Sequence, residues 1–447
     1  MTTYPLTPRT TAHLRPGQFW SVPLPDGRYG CGRVLRVDIG GSSSRRSWFV
    51  GGVLDWVGDE PPTAESIAGS GVLAEGNAHV RAISYRGGEI LGERPLALDR
   101  IEPPEMPLNT WWGDGYVVMR ASQKFIHGDP KPTSDFRQVE SPLTGEMLRP
   151  SETGRGVVQF RSRLTDDDFA TLGEWFRQYP EMRLRAYGSY DGSITDLEFL
   201  RHFPTLRRFG ADALWSSLTS LDGLRHLPPD VDELAIGATK AKLDLAVLAR
   251  FGDLRRLFLE GQTKHLEVLS GLTALDDLTL RSVTMPDLSL LLPLRRLRSF
   301  DLKLGGTRDL RLLPKVGELW YVELWLIRGL TDISAVAEIP SLRVLFLQAL
   351  RGVETLPDFR RSTSLRRVTL ETMKGIRDLR PLATAPVLEV VSLVDMRQLQ
   401  PADLAPLVGL PTLKAVNPGL GSRRKNEAAA KLVGLPDISG PDDWRRP

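Results

Sequence analysis

Six histidines and a single cysteine are the side chains here best suited to metal ligation or nucleophilic attack. A metal needs several ligands converging on one ion, which close pairs such as His-x-His or His-Glu-x-x-His announce. His13, His79, His127, His202, His226 and His265 form no such pair, so no metal and no binuclear hydrolase centre is expected. Cys31 with the remote His79 would supply a nucleophile and a base. Set in a glycine-rich strand, the cysteine reads instead as a small core residue. Asp166, Asp167 and Asp168 could hold a cation, yet they precede an apolar helical run, where carboxylates favour a helix N-terminus. One cysteine also excludes an intrachain disulfide and a multi-cysteine zinc site, and fits a reducing compartment. No catalytic residue and no cofactor is assigned, and the chain is expected not to be an enzyme.

Recognition chemistry is better represented. A core of Leu-x-x-Leu-x-Leu, with Val, Ile or Phe substituting, begins at Leu206, Val231, Leu254, Leu275, Leu297, Leu319, Leu342, Leu365, Leu388 and Leu413. The intervals, from about 21 to about 25 residues, lie within the roughly 20 to 29 of leucine-rich repeats. Alternation at the end of each core puts two apolar residues inward and their neighbours outward. The outward residues are Arg256, Phe258 and Glu260; Asp277, Thr279 and Arg281; Ser299, Asp301 and Lys303; Tyr321, Glu323 and Trp325; Val344, Phe346 and Gln348; Arg367, Thr369 and Glu371. Tyr321, Trp325 and Phe346 fall on adjacent rungs beside Asp301, Lys303, Glu323 and Arg367, the composition of a protein-binding hot spot, with Phe258 and Glu260 further away. The competing arrangement packs these rings on one another and leaves no site. Paired arginines at 207–208, 255–256, 295–296 and 366–367 have acidic neighbours, so they read as a solvated strand edge and no nucleic acid is expected.

One strand per repeat must stack in parallel to place these residues on one face. Between cores, Ile333-x-x-Val336-x-x-Ile339 and Leu379-x-x-Leu382-x-x-Ala385 have the spacing of short 3₁₀ segments on the opposite, convex side. This part resembles bacterial leucine-rich-repeat proteins. Its departure is the asparagine that often follows the strand: Glu260-Gly-Gln and Arg281-Ser-Val stand there instead, so irregular curvature is expected. The fold class is therefore α/β, a leucine-rich-repeat solenoid with a parallel β-sheet on its concave face, preceded by a small β-rich domain. The expected divisions are that domain at 1–106, a connecting segment at 107–160, a capping-helix region at 161–181, the solenoid at 182–418, and a C-terminal cap and tail at 419–447. Met182 to Tyr187 is the expected first strand, Leu172 to Gln178 a capping helix with its N-cap signal at Thr165 to Asp168, and Lys425 to Leu432 a terminal helix.

The N-terminal part has no repeat and many glycines. Pro16 to Val37 reads as two strands about an Asp26-Gly27 turn, with Gly27, Gly30 and Gly32 serving turns or close approach and Phe19, Trp20, Tyr29 and Trp48 supplying core bulk. Further strands are expected at Trp48 to Leu54, Val80 to Tyr85 and Glu89 to Leu91, a helix near Ala64 to Gly69, and a strand entry at Trp111 to Val118. The run Pro-Gly-x-Phe-x-x-Val-Pro-Leu-x-Asp-Gly-Arg-Tyr-Gly-x-Gly-Arg-Val at 16–34, with Gly92-Glu-Arg-Pro95-Leu96, resembles the immunity-protein family numbered twenty-six of bacterial polymorphic-toxin systems. Cys31 stands where an aromatic is common. The resemblance implies a protein that binds and neutralises a bacterial toxin; some relatives carry a phosphotriesterase label, which implies a hydrolase as the alternative. A signalling scaffold is the second alternative. With 41% hydrophobic and 25% charged residues, a net charge of +3, no long apolar run and no signal-peptide pattern at Met1 to Arg9, a cytoplasmic chain with a protein partner and no membrane contact is expected.

Overall fold

The computed structural model describes residues 3–37, 47–105, 110, 112–126, 128, 135–151, 153–188 and 191–436. Trp111, His127, most of the loop expected from Gly128 to Ser134 and the tail from residue 437 lie outside them. The chain divides into two compact units, Met1–Thr133 and Ser134–Pro447.

In the first unit, β1 (Gln18–Pro23), β2 (Tyr29–Arg36), β3 (Trp48–Gly58), β4 (Val72–His79) and β5 (Ile90–Glu93) form an antiparallel sheet in the order β4-β3-β2-β1-β5. The Asp26-Gly27 turn joins β1 to β2, with Gly27 at φ +90°. Trp20 faces Gly32 across that hairpin, and a Cβ on Gly32 would stand 2.0 Å from the indole. The glycine therefore clears a bed for the largest ring in the core. On one face Trp20, Val34, Phe49 and Trp112 pack with α2 (Tyr116–Phe125), which lies where a strand entry is expected from sequence. Val117, Val118 and Ala121 recur at helical spacing and bury against the sheet, which decides for the helix. Likewise α1 (Arg81–Ser84) replaces the expected strand at Val80 to Tyr85, the strand falling earlier as β4; Ala64 to Gly69 forms turns.

The other face of that sheet buries a charge. Arg33, 0% exposed, lies 2.7 Å from Asp99 and donates to the carbonyls of Arg94 and Pro95. Asp99 also accepts from the Gly69 amide at 2.9 Å and from Arg94 at 3.0 Å. One carboxylate thus ties three loops beneath the sheet, and those donors together outweigh burial in keeping its pKa below the ordinary value.

In the second unit, among the described residues, thirteen strands form one parallel sheet in strict chain order. They are β6 (Asp135–Val139), β7 (Gly156–Phe160), β8 (Met182–Ala186), β9 (Arg208–Ala211), β10 (Glu233–Ile236), β11 (Arg256–Glu260), β12 (Asp277–Arg281), β13 (Ser299–Lys303), β14 (Tyr321–Trp325), β15 (Val344–Gln348), β16 (Arg367–Glu371), β17 (Val390–Val394) and β18 (Ala415–Pro418). From β9 onward each strand begins two residues after the first apolar residue of a repeat core, and one continuous apolar core runs from Val139 to Val433. The convex side carries 3₁₀ segments such as Ser334–Glu338 and Arg380–Thr384. The unit is a leucine-rich-repeat solenoid. Helix α3 (Asp166–Gln178), with Thr165 as N-cap, follows β7, and α4 (Arg423–Val433), with Ser422 as N-cap, closes the other end.

Two strands, β6 and β7, precede the strand expected to be first. Arg137 hides the pattern in β6: it points inward, 8% exposed, over the Trp175 ring at 5.2 Å, and donates to the carbonyls of Met147, Arg149 and Pro150. Its five donors make a charged residue tolerable where a leucine is the norm.

The missing asparagines are replaced by backbone. Gly261, Ser282, Leu304, Leu326, Ala349, Thr372 and Asp395, each directly after a strand, all have positive φ. Each N–H turned in this way donates at 2.8–2.9 Å to the carbonyl ending the next strand, for the first six of them. Deeper turn groups are met by buried Gln262, which accepts from Leu243 and donates to Gly237 and Thr239, by Thr307, and by the sulfurs of Met373 and Met396. The strand register is accordingly free of bulges from β10 to β17.

On the convex side a second ladder of hydrogen bonds closes the turns, and Asp244 caps a 3₁₀ segment. Asp244, Asp287, Asp309, Asp332, Asp358 and Asp378 each accept from the amide two residues on, at 2.8–3.0 Å. Each carboxyl is held below its ordinary pKa by hydrogen bonds, chiefly from the side chains of His265, Ser289, Arg311 and Arg380 for Asp244, Asp287, Asp309 and Asp378 and from the amide for Asp332 and Asp358, with Asp309 at about 2.

Two outcomes are expected. A left-handed residue with a Cβ is disfavoured by roughly 1–2 kcal/mol, whereas glycine loses about 0.5–1 kcal/mol of chain entropy. Ala349→Gly should therefore stabilise the chain by about 0.5–1 kcal/mol in urea titrations, and a loss of stability would contradict the strain argument. Because the ladder aspartates have depressed folded pKa values, their contribution is full above the unfolded pKa of about 4 and vanishes as pH falls through the folded values. Thermal midpoints should drop between about pH 4 and pH 2, and the Asp309→Asn/Asp332→Asn/Asp378→Asn variant should drop less.

Candidate functional site

The in-register sheet arranges the outward residues of the solenoid in three columns. The middle column runs Phe258, Thr279, Asp301, Glu323, Phe346 and Thr369, each directly paired with the next. Neighbouring strands lie about 4.8 Å apart, so side chains in a column are in contact and the centre of the face is far from open.

Lys303 supplies the reason. Its ammonium, on a side chain 13% exposed, lies 3.2 Å from Asp301 and 3.0 Å from Glu323. Asp301 also accepts from the Thr279 hydroxyl at 3.2 Å, and Glu323 from the Tyr321 hydroxyl at 3.0 Å. Four of the residues expected to contact a partner therefore form one hydrogen-bonded knot. Tyr321, expected as an exposed ring, is only 3% exposed and packs edge-on against Trp320 at 5.9 Å. Cross-strand neighbours on both sides and the bond to Glu323 take it out of solvent.

The rings that stay half-buried border the knot. Phe258 and Phe346 lie at its two ends in the middle column, and Trp325 at its side with the Arg281 guanidinium 5.7 Å from its ring. Glu260 pairs with Arg281 at 3.1 Å, and Gln348 donates to Glu371 at 2.8 Å. Burial raises the pKa of Glu371, opposed by the Gln348 amide and assisted by the nearby charges of Glu323 and Asp395. Arg367 stands half-buried beside Val344 on the next strand.

The first rungs carry a feature that the repeat pattern does not show. Arg161 and Arg185 both face the Tyr187 ring, at 5.8 and 4.3 Å, while Arg185 grips Asp212 at 2.8 and 2.7 Å. Arg183 reaches across Gly210 to Glu233 at 3.1 Å, through space that a Cβ at 210 would fill. The alternation in Met182-Arg-Leu-Arg-Ala-Tyr187 was the available signal. At the strand entries, Arg207, Arg255 and Arg366 pair with Asp230, Asp276 and Glu389.

The residues weighed for catalysis are occupied elsewhere. Cys31 is buried, and burial pushes its thiol far above the usual range, away from a reactive thiolate. His79 accepts from the Arg81 amide and meets the edge of Trp48, His226 lies 3.0 Å from Glu198, and His265 lies 2.6 Å from Asp244. Asp168 accepts from Leu143 and from its own cap partner Thr165, as a helix N-terminus requires. Among the described residues no three of His, Cys, Asp and Glu converge as a metal site would need, and no helix is long and apolar enough to cross a membrane.

Comparison with known proteins gives each unit its own context. Residues 15–115 match the model of a family described as Immunity protein 26, so the resemblance seen at 16–34 extends over most of the first unit. The chain thus joins an immunity-protein-family match to a leucine-rich-repeat solenoid. No curated protein matches it. Among solved structures, an internalin (inlF) from Listeria monocytogenes is 16% identical, with 63% of this chain and 84% of that one covered at a TM-score of 0.42. Internalin C2 from the same species is 21% identical, with 49% and 82% covered at 0.30. The Toll–Spatzle complex from Drosophila is 13% identical, with 64% and 40% covered at 0.37.

Removing one member of a buried ionic knot leaves the others uncompensated, which costs about 3–5 kcal/mol. Lys303→Met should therefore destabilise the solenoid by about that much in guanidinium titrations, with Asp301→Asn added to it restoring part of the loss. A change below about 1 kcal/mol would mean that Lys303 is solvated rather than structural.

Proposed function

We propose that this chain is a non-catalytic, cytoplasmic immunity protein that neutralises a bacterial toxin domain by binding it directly. The observation that carries the reading is the immunity-protein family match over residues 15–115, joined to a repeat sheet suited to gripping a protein. On that sheet Trp325, Phe346 and Phe258 are the proposed anchors, with Glu260 and Arg367 as polar contacts around them. Asp301, Lys303, Tyr321 and Glu323 form the floor beneath and between the anchors. Rigid anchors lose little entropy on binding. A toxin needs only to lose access to its active site, so tight binding suffices and no turnover is required.

The test is co-purification of the full chain with the toxin domain encoded beside it, and titration of the toxin's activity. The activity should disappear at about one equivalent of the chain. Hot-spot truncations typically cost 2 kcal/mol or more, so Trp325→Ala/Phe346→Ala should weaken capture by roughly a hundredfold or more with an unchanged thermal midpoint. Tyr321 is left intact because its hydroxyl holds Glu323. A toxin that stays active at excess chain sinks the immunity reading; undiminished capture by the double variant removes the anchors from it.

A further inference from the structure

In the second half of the solenoid, the residue two places after each left-handed position is a cation. Leu326, Ala349, Thr372 and Asp395 have positive φ, and Arg328, Arg351, Lys374 and Arg397 follow them, all exposed and about 23 residues apart. The same position holds Thr263, Thr284 and Gly306 in the three preceding repeats, so the cations start at one rung and continue without interruption. Their spacing is set by the sheet, whose strands recur about every 4.8 Å.

Close approach of the turns keeps this row tight. A glycine follows Arg328, Arg351 and Lys374, and a Cβ on Gly352 or Gly375 would stand 2.7 or 2.4 Å from the carbonyl oxygen of Leu330 or Val353. A Cβ on Gly329 would stand 2.7 Å from Nε of Arg308, so that exposed guanidinium lies beside the row.

Several other cations on the surface are engaged by carboxylates. Arg225 is paired with Glu198, Arg255 with Asp276, Arg311 with Asp309 and Arg380 with Asp378. Arg397 is held by Asp395 at 2.6 Å. Among the described residues, Arg308, Arg328, Arg351 and Lys374 have no carboxylate within ion-pair distance. Three like charges in a row with a fourth beside them repel one another, and an anionic partner removes that repulsion.

We infer that this edge docks an acidic stretch of a protein partner, its carboxylates opposite Arg328, Arg351 and Lys374 and an apolar side chain against Trp325 and Leu326. Leu326 is 37% exposed beside the half-buried Trp325, and an apolar anchor bordered by charge is the anatomy of a protein interface. Single-stranded nucleic acid would instead use a succession of rings to stack its bases, and the strand ends on the next three rungs are Gln348, Glu371 and Val394. The inference rests on the protein-binding reading and adds the sign of the partner and the edge it uses.

The experiment titrates the full chain with a fluorescein-labelled oligo-glutamate peptide and, separately, with an oligothymidine strand of equal charge, folding being monitored by circular dichroism. The peptide should bind at low salt and release as salt screens the contact. Arg351→Glu/Lys374→Glu should weaken it about tenfold, since each exposed pair contributes up to about 1 kcal/mol. Arg298→Glu/Arg343→Glu, equal in charge but at the opposite strand ends, should change it less than about twofold. No peptide binding, equal loss in both variants, or tighter binding of oligothymidine would overturn the inference. No toxin enters this readout, so peptide binding without toxin capture fails the immunity reading alone, and toxin capture without peptide binding fails the acidic-edge inference alone.

Discussion

From β11 to β16 the amide of the residue after the strand donates to the carbonyl that ends the next strand, and that residue is left-handed. This bond fixes where each of those strands stops relative to its neighbour. A parallel sheet with period-two side chains has no tolerance for a one-residue slip, which would exchange inward leucines for outward charges. With the register pinned, Asp301 must face Glu323 and Lys303 must face Trp325. The left-handed conformation is strained for Leu326, Ala349 and Thr372. It persists because the hydrogen bond it frees would otherwise be an orphaned amide at the rim of a buried core.

The same register decides which charges are engaged. On the face of the sheet, Lys303 joins two acids that would otherwise be buried side by side, and Arg185, Arg256 and Arg281 each find an acid on a neighbouring rung. Two positions beyond the left-handed residue the chain has turned away from these columns, and no strand there presents an opposing acid. Many charged residues on the face are thus held by one another, whereas Arg328, Arg351 and Lys374 on the turns of the later repeats have no carboxylate at ion-pair distance among the described residues.

Much of this was legible in the sequence, and what was not has a physical cause. The repeat cores from Leu206 onward located their strands to within two residues, because apolar spacing and burial report the same thing in a solenoid. The outward columns followed from alternation alone. Exposure did not, since whether Tyr321 is open depends on its neighbours on strands β13 and β15, which lie about 22 residues away in the chain. Strand β6 was hidden by Arg137, whose five donors let it occupy an inward position. In the first unit, Trp112 to Val118 offered both a β-branched run and a helical spacing, and only burial against β1 to β3 selects the helix. The cation row was visible as Arg-Gly, Arg-Gly and Lys-Gly at matching places, but its meaning depends on which carboxylates are near, and sequence does not report that.

A binding surface of this construction separates two demands that conflict in most interfaces. In the proposed complex, strength and rigidity come from packed rings over a neutralised floor, where side chains already held in place leave little ordering entropy to be lost. Selectivity comes from a row of uncompensated charge on adjacent turns, which attracts an acidic surface and repels a basic one over about a Debye length. Because the row lies on turns rather than strands, its charges can change without touching the inward leucines or the left-handed amides. The fold therefore lets the later repeats alter partner preference rung by rung while the knot around Lys303 and the core behind it stay as they are.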